Sequence, residues 1–155
     1  HRDTRTYATI GYAVGSGGAD ESSVFRQTGL QDNNDKFGGV SSFRYYGELL
    51  EPELSNLEIK TAALGFRPLR ATSVDLVAHS YRQRSVAGRI EGANLQTRPR
   101  GFSPDIGTEW DLIVALEELR MLELEYVFAW FFPGDAFASD ATSARFHKLQ
   151  IQLRF

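Results

Sequence analysis

The sequence has no cysteine and no long apolar run. Without cysteine, a disulfide framework, a cysteine metal site and a thiol nucleophile are all excluded. The longest apolar run is YVFAWFF at 126–132, far below the roughly 18–20 residues that a transmembrane helix needs. A transmembrane β-barrel is compatible with this absence, because its strands alternate and its average hydropathy resembles that of a soluble protein.

The chain also lacks a large excess of positive or negative charge. The 17 basic and 20 acidic residues give a formal charge of -3, and the basic residues form no run. We therefore predict no nucleic-acid partner. The length of 155 residues suits one domain, taken as residues 1–155. The opening HRDTRTY lacks a methionine and an apolar signal segment, so we expect the later part of a longer chain.

Most of the chain alternates with period two, which predicts β-strands. Soluble strands average roughly 5–6 residues, whereas tilted strands that cross a bilayer need roughly 9–11. The alternating segments here are longer than the soluble average. They are 4–14, 57–67, 72–83, 105–116, 121–131 and 144–155.

The connections between these segments alternate in length. Two are short, at 68–71 and 117–120, and three are long and polar, at 15–56, 84–104 and 132–143. Short turns at one end and long loops at the other are typical of an outer-membrane barrel, whose turns face the periplasm. For 15–56 we favour one large loop that folds partly into the barrel. Two short strands within it are the alternative, which gives six to eight strands in all.

The strands have one apolar and one polar face. In 121–131, Leu122, Leu124, Tyr126, Phe128 and Trp130 share a face. The segment 105–116 divides in the same way, with Ile106, Trp110, Leu112, Val114 and Leu116 on its apolar face. In a soluble β-sandwich these faces would be buried against protein, whereas in a membrane barrel they would face lipid. Long uninterrupted apolar faces and aromatic clusters at strand ends favour the barrel.

The last segment, KLQIQLRF, ends on an aromatic residue. Its apolar face consists of Leu149, Ile151, Leu153 and Phe155. This pattern resembles the C-terminal strand that the barrel-assembly machinery reads in outer-membrane barrels. We therefore predict an all-β, antiparallel, up-and-down transmembrane β-barrel in a bacterial outer membrane, in contact with outer-membrane lipid and with that machinery.

Four stretches carry a more specific resemblance. They are FRQTGLQDNNDKFGG (25–39), YYGELLEPELSNL (45–57), DIGTEWDL (105–112) and FFPGDAFASDATSA (131–144). In this order, they resemble the C-terminal portion of the bacterial alginate export family. The resemblance implies an outer-membrane channel of about eighteen strands that passes an anionic polysaccharide by passive diffusion, with periplasmic export proteins as further partners. A non-transport barrel with a filled interior is the alternative.

A channel for a polyanion needs cationic side chains along its path, because fixed positive charge compensates the desolvation of carboxylates. We predict that this path includes Arg26, Arg44, Lys60, Arg98, Arg100, Lys148 and Arg154. The same strands supply acids that we expect in the lumen, where they would pair with the cations. These acids are Glu109, Asp111, Glu123 and Glu125.

Catalysis and cofactor binding have little support in the sequence. The three histidines, His1, His79 and His147, are far apart, whereas a metal site needs clustered ligands. No nucleophile motif is present. Glu123 and Glu125 could mimic a glycosidase pair, but a polar lumen face explains them better. We predict no enzyme activity, no metal and no cofactor.

Overall fold

The described part of the chain contains six long strands and two very short ones. The computed structural model describes residues 5–17, 25, 33–119 and 121–153. Its strands are β1 (Arg5–Val14), β2 (Asn34–Asp35), β3 (Phe43–Arg44), β4 (Leu57–Leu69), β5 (Thr72–Gln83), β6 (Asp105–Leu119), β7 (Leu122–Pro133) and β8 (Ala144–Leu153). Within these ranges no helix is long and apolar enough to cross a membrane. The prediction of an all-β fold is confirmed.

The six long strands form one antiparallel sheet in the order β1-β4-β5-β6-β7-β8. Each long strand therefore lies beside its neighbour in the chain, as the up-and-down topology requires. The strands β2 and β3 pair only with each other. Within the described residues the sheet is open, because β1 and β8 each pair on one side only.

The two short connections are tighter than predicted. Strand β4 continues to Leu69 and β5 begins at Thr72, while β6 continues to Leu119 and β7 begins at Leu122. The register shifts before each of these turns. The four-residue segments that the sequence assigned to turns thus lie largely in strands.

The sheet has two different faces. Segment 37–50 lies against one of them, which we call the covered face, and the opposite one is the outer face. Residues of the covered face are mostly buried, whereas those of the outer face are mostly half-buried or exposed. The outer face carries Ile10, Tyr12, Leu64, Leu76, Trp110, Leu149, Ile151 and Leu153 as exposed apolar side chains. Leu122, Leu124, Phe128 and Trp130 also lie on this face, as expected for a membrane barrel.

The hydrophobic core lies between the covered face and the long loops. In one cluster, Phe43 packs against Ala63, Val77, Ile113 and Val127, one from each of four neighbouring strands. A second cluster joins the sheet to Leu49 and Leu50 and to the loop after β7. Because Phe43, Leu49 and Leu50 come from the segment between β1 and β4, that segment is packed as part of the core.

A β-bulge corrects one face assignment. Ile106 was expected on the outer face with Trp110, but it is fully buried in the core. The register shifts by one residue here, since Tyr81 pairs with Gly107 and Arg82 pairs with Asp105. The unpaired extra residue reverses the side-chain alternation, so Ile106 points to the covered face.

Candidate functional site

The centre of the covered face carries two buried acids on β6, Glu109 and Asp111. The Glu109 carboxyl group accepts two backbone hydrogen bonds, from Leu49 N to Oε1 at 2.7 Å and from Leu50 N to Oε2 at 2.9 Å. Asp111 Oδ2 accepts a longer one from Glu48 N, at 3.3 Å. The acids therefore fix the backbone of the loop to the sheet.

Tyr81 completes this anchor from the neighbouring strand β5. Its hydroxyl donates to the Tyr46 carbonyl oxygen at 2.8 Å. Between them, Gly47 has a φ of 101°, and a Cβ added to it would overlap the Tyr81 hydroxyl and lie 2.7 Å from Glu109 Oε1. Only glycine suits this backbone conformation and this close approach. Burial raises the pKa of the Tyr46 hydroxyl above its usual value.

His79 lies beside this anchor and is also buried. Its Nδ1 is 2.9 Å from Thr61 Oγ1, and its Nε2 is 3.5 Å from Asp111 Oδ2. Its ring stacks on Tyr81 with centroids 5.9 Å apart. No group of three or more potential metal ligands occurs within the described ranges. The polar contacts of His79 join β5 to its neighbours β4 and β6 on the covered face.

A second anchor lies nearer to the short turns. The Tyr7 hydroxyl donates to Asp75 Oδ1, and Val40 N donates to Ser73 Oγ at 3.0 Å. Tyr7 lies over Gly65, its direct partner in β4, where an added Cβ would overlap the ring. Together the two anchors hold the loop against the sheet at both ends of segment 40–50.

The predicted path residue Lys148 lies on the covered face, with its Nζ 2.6 Å from Glu125 Oε1. The other carboxylate oxygen of Glu125 accepts from the Ser41 hydroxyl. Arg44 forms an ion pair with Glu51 inside the loop. Each of these cations is therefore partly neutralised by an acid, so this surface presents alternating charges.

A groove brings Arg44 and Lys148 together. It has a volume of about 570 Å³ and lies between segments 44–51 and 94–97 and the start of β8. Its polar lining can donate and accept hydrogen bonds to hydroxyl groups. These side chains are Asn94, Gln96, Thr97, Thr142 and Ser143, together with the charged Arg44, Glu48, Glu51, Arg145 and Lys148.

Other predicted path residues do not join this groove. Arg98 and Arg100 are exposed in the loop between β5 and β6. Lys60 was expected on the polar face, but it lies on the outer face beside Glu58, with 3.1 Å between Nζ and Oε1. The expectation failed because the parity of β4 places Thr61 and Ala63, its buried residues, on the covered face. Arg26 and Arg154 lie outside the described residues.

The four acids predicted in the lumen differ in how deeply they are buried. Glu123 and Glu125 lie half-buried on the covered face of β7. Glu109 and Asp111 are on the same face, as expected, but they are sealed under the loop with no exposed surface. The expected pairing with basic residues is wrong for Glu109, because backbone N–H groups of the loop take up both of its oxygens.

In the predicted assembly signal, Leu149, Ile151 and Leu153 share the outer face and are all exposed. Phe155 lies outside the described residues. Sequence reasoning missed Tyr7, Asp75 and Tyr81 as loop contacts. The sequence analysis assigned no faces to the segments 4–14 and 72–83 that contain them, and nothing local indicated which loop atoms they would meet.

Comparison with known proteins agrees with this architecture. The alginate export family model matches residues 5–150. The alginate production protein AlgE of Pseudomonas aeruginosa is 33% identical over 114 residues, which cover 72% of this chain and 23% of that protein. AlgE of Azotobacter vinelandii is 26% identical over 168 residues, covering 92% of this chain and 34% of that protein.

The chain thus spans between about a quarter and a third of the length of these relatives. The family match extends from the first described strand to the last, and so includes the covered face, both loop anchors and the groove. The chain belongs to the alginate export family.

Proposed function

We propose that this chain is part of an outer-membrane β-barrel that exports an anionic polysaccharide of the alginate class. The observation that carries the proposal is the two-faced sheet. Its outer face carries many exposed apolar side chains, with the charged Glu58 and Lys60 at the loop end. Its covered face combines apolar core residues with buried acids and lies under the protein's own loop. Lipid would contact the outer face, and the covered face would line the lumen. Six strands cannot enclose a water-filled pore alone, since even eight leave an interior filled by side chains. The remaining wall comes from further strands.

Transport in this proposal is passive and guided by electrostatics. The polymer would move past alternating cations and acids, which favours transit over tight binding. The groove with Arg44 and Lys148 supports this, because its hydroxyl and amide groups suit sugar hydroxyls and its cations suit carboxylates. The proposed partners are the polymer, outer-membrane lipid, the barrel-assembly machinery and periplasmic export proteins.

Export is tested with the full-length protein reconstituted in planar lipid bilayers. We expect ion conductance that added polymannuronate blocks, whereas dextran of equal length, which has no carboxylates, leaves the current unchanged. A folded barrel that does not conduct would instead favour a filled structural or binding barrel. The packing of Phe43, Leu49 and Leu50 over the sheet is the observation that keeps this second candidate in consideration.

The groove cations give a prediction about selectivity. Replacing Arg44 and Lys148 together by glutamate should lower the anion-to-cation permeability ratio by about tenfold, because local charge sets the concentration of permeating ions. Reversal potentials in a salt gradient measure this ratio. The control Lys36→Glu/Arg89→Glu changes the net charge equally at exposed loop positions outside the groove. Equal ratios in both double variants would remove Arg44 and Lys148 from the path.

The outer face gives a prediction about membrane contact. Leu112 lies at the middle of β6 on this face, and Leu116 lies on the same face nearer the short turn. Lysine at a lipid-facing midplane position costs about 2–4 kcal/mol, and the cost falls toward the interfaces. Leu112→Lys should therefore lower the free energy of unfolding in lipid vesicles by that amount, and Leu116→Lys by less. Exposed lysines in water cost at most about 0.5 kcal/mol, so two near-neutral variants would contradict lipid contact.

A further inference from the structure

Three arginines meet at the short-turn end of the sheet, far from the groove. Arg5 of β1 and Arg67 of β4 are direct partners in the register, and Arg70 lies in the β4–β5 turn. Together with Leu69 they line a cavity of about 240 Å³. No carboxylate is among the described residues that line it. This cationic cluster was not recognised in the sequence, where Arg5 is more than sixty positions from Arg67 and Arg70.

The cluster faces the same side of the sheet as the loop. Residues two apart in a strand share a face, so Arg5 lies on the same face as Tyr7, and Arg67 lies on the same face as Gly65. Tyr7 is placed on the covered face by its hydrogen bond to the buried Asp75. The β1–β4 register is regular from Val14 to Arg5, so Arg67 keeps its place opposite Arg5. The register shift between Phe66 and Leu69 concerns the pairing of β4 with β5, and Arg5 and Arg67 line one cavity. In the proposed barrel, Arg5 and Arg67 therefore lie at the turn end of the lumen.

The arrangement favours an anionic ligand. Side chains directly opposite in an antiparallel pair have Cβ atoms about 4.5–5.5 Å apart, and like charges there repel. The Arg67 guanidinium is held by a hydrogen bond to the Arg70 carbonyl oxygen, which keeps it beside the cavity. A bound anion offsets the repulsion. Arginine forks match carboxylate groups with two parallel hydrogen bonds, and a polyuronate presents carboxylates in series.

We propose that Arg5, Arg67 and Arg70 form an anion-binding site that captures uronate carboxylates of the polymer at the turn end of the lumen. This inference rests on the proposed export function and adds a location where the polymer first engages. The site captures chains from the side where the turns lie, and the groove with Arg44 and Lys148 receives them later. Acids partly neutralise Arg44 and Lys148, whereas none of the described residues that line the arginine cluster is an acid. The cluster therefore has the stronger attraction for a polyanion.

The test measures block of the current by a mannuronate hexamer added to one side of the bilayer at a time. Electrostatic steering raises association rates by about 10- to 1,000-fold. We therefore expect Arg5→Gln/Arg67→Gln to lower the blocking rate from the turn side by at least about tenfold, with block from the loop side unchanged. The control Lys36→Gln/Arg89→Gln removes the same charge elsewhere and should change neither rate.

Two further measurements separate attraction by charge from bidentate binding, and a uronate site from a general anion site. Arg5→Lys/Arg67→Lys keeps the positive charge but removes the planar guanidinium groups that bind a carboxylate through two hydrogen bonds. The blocking rate should therefore stay the same, while each blocked state should last for a shorter time. In the unsubstituted protein, the turn-side rate should fall steeply as salt rises from 0.05 to 0.5 M, by roughly tenfold or more. This second measurement needs no variant. Equal potency of inorganic phosphate would indicate a general anion site and overturn the assignment to uronate.

The outcomes also distinguish this inference from the proposed function. If the hexamer blocks from neither side, both the export proposal and the arginine site are wrong. If turn-side block survives the glutamine substitutions with an unchanged rate and salt dependence, only the arginine site is wrong. Loss of turn-side capture alone, with normal conductance and normal loop-side block, supports both.

Discussion

Replacing Glu109 by alanine is expected to detach the loop from the sheet. The backbone N–H groups of Leu49 and Leu50 would lose their buried acceptors. Leaving two buried donors unpaired costs roughly 2–5 kcal/mol. Because this free energy is concentrated in one loop, we expect local opening before global unfolding. Limited proteolysis should then cut within 33–56, and in bilayers the opened loop should raise the single-channel conductance.

A graded series makes the Glu109 prediction sharper. Glu109→Gln keeps one acceptor oxygen and should give an intermediate effect. Glu117→Ala removes the same side-chain type from the same strand at an exposed position, and it should leave proteolysis and conductance unchanged. If Glu109→Ala and Glu117→Ala behave alike in both assays, the carboxyl group does not hold the loop.

Substitution of Gly107 by alanine is expected to prevent most of the protein from folding. Gly107 has a φ of 120°, which L-residues rarely adopt. A Cβ there would overlap the Phe132 carbonyl oxygen and lie 2.7 Å from Gly134 N, and these backbone atoms cannot rotate away. Strain and overpacking together should cost roughly 3–5 kcal/mol. Urea unfolding in lipid vesicles measures the loss of unfolding free energy. The gel mobility of heated and unheated samples measures the fraction of protein that is folded.

Another glycine serves as the matched control for Gly107. A Cβ added to Gly88 would meet only the Pro99 carbonyl oxygen, at 3.7 Å, which is an ordinary contact. Gly88→Ala should therefore change the free energy of unfolding by no more than about 0.5 kcal/mol. An equal loss in both variants would mean that the bulge geometry is not what makes Gly107 necessary.

The bulge also explains why one part of the fold was predictable and another was not. The alternation of β6 correctly placed Trp110 and Leu112 on one face and Glu109 and Asp111 on the other. It failed at Ile106, because a single inserted residue reverses the alternation and the sequence carries no period that reveals it. Gly107 is the only local signal, and a glycine within a strand has several possible causes.

The candidate site was also predictable in one part and not in another. The sequence identified Arg44 and Lys148 as cations near the proposed path, and the structure brings both to one groove. It gave no indication that Arg5 and Arg67 are direct partners, since this pairing depends on the long segment between β1 and β4. The side of β4 on which Lys60 lies was likewise decided by which residues the loop covers.

The sequence by itself determined the six long strands, their alternating faces and the pattern of short turns and long loops. These features follow from local physics, because a strand's side chains alternate and each two-sided strand needs an apolar and a polar environment. Only the tertiary structure decided the position of the loop, the partners of Glu109 and the meeting of Arg5 with Arg67. Such contacts join residues far apart in the chain, and they depend on how the whole sheet packs against the loop.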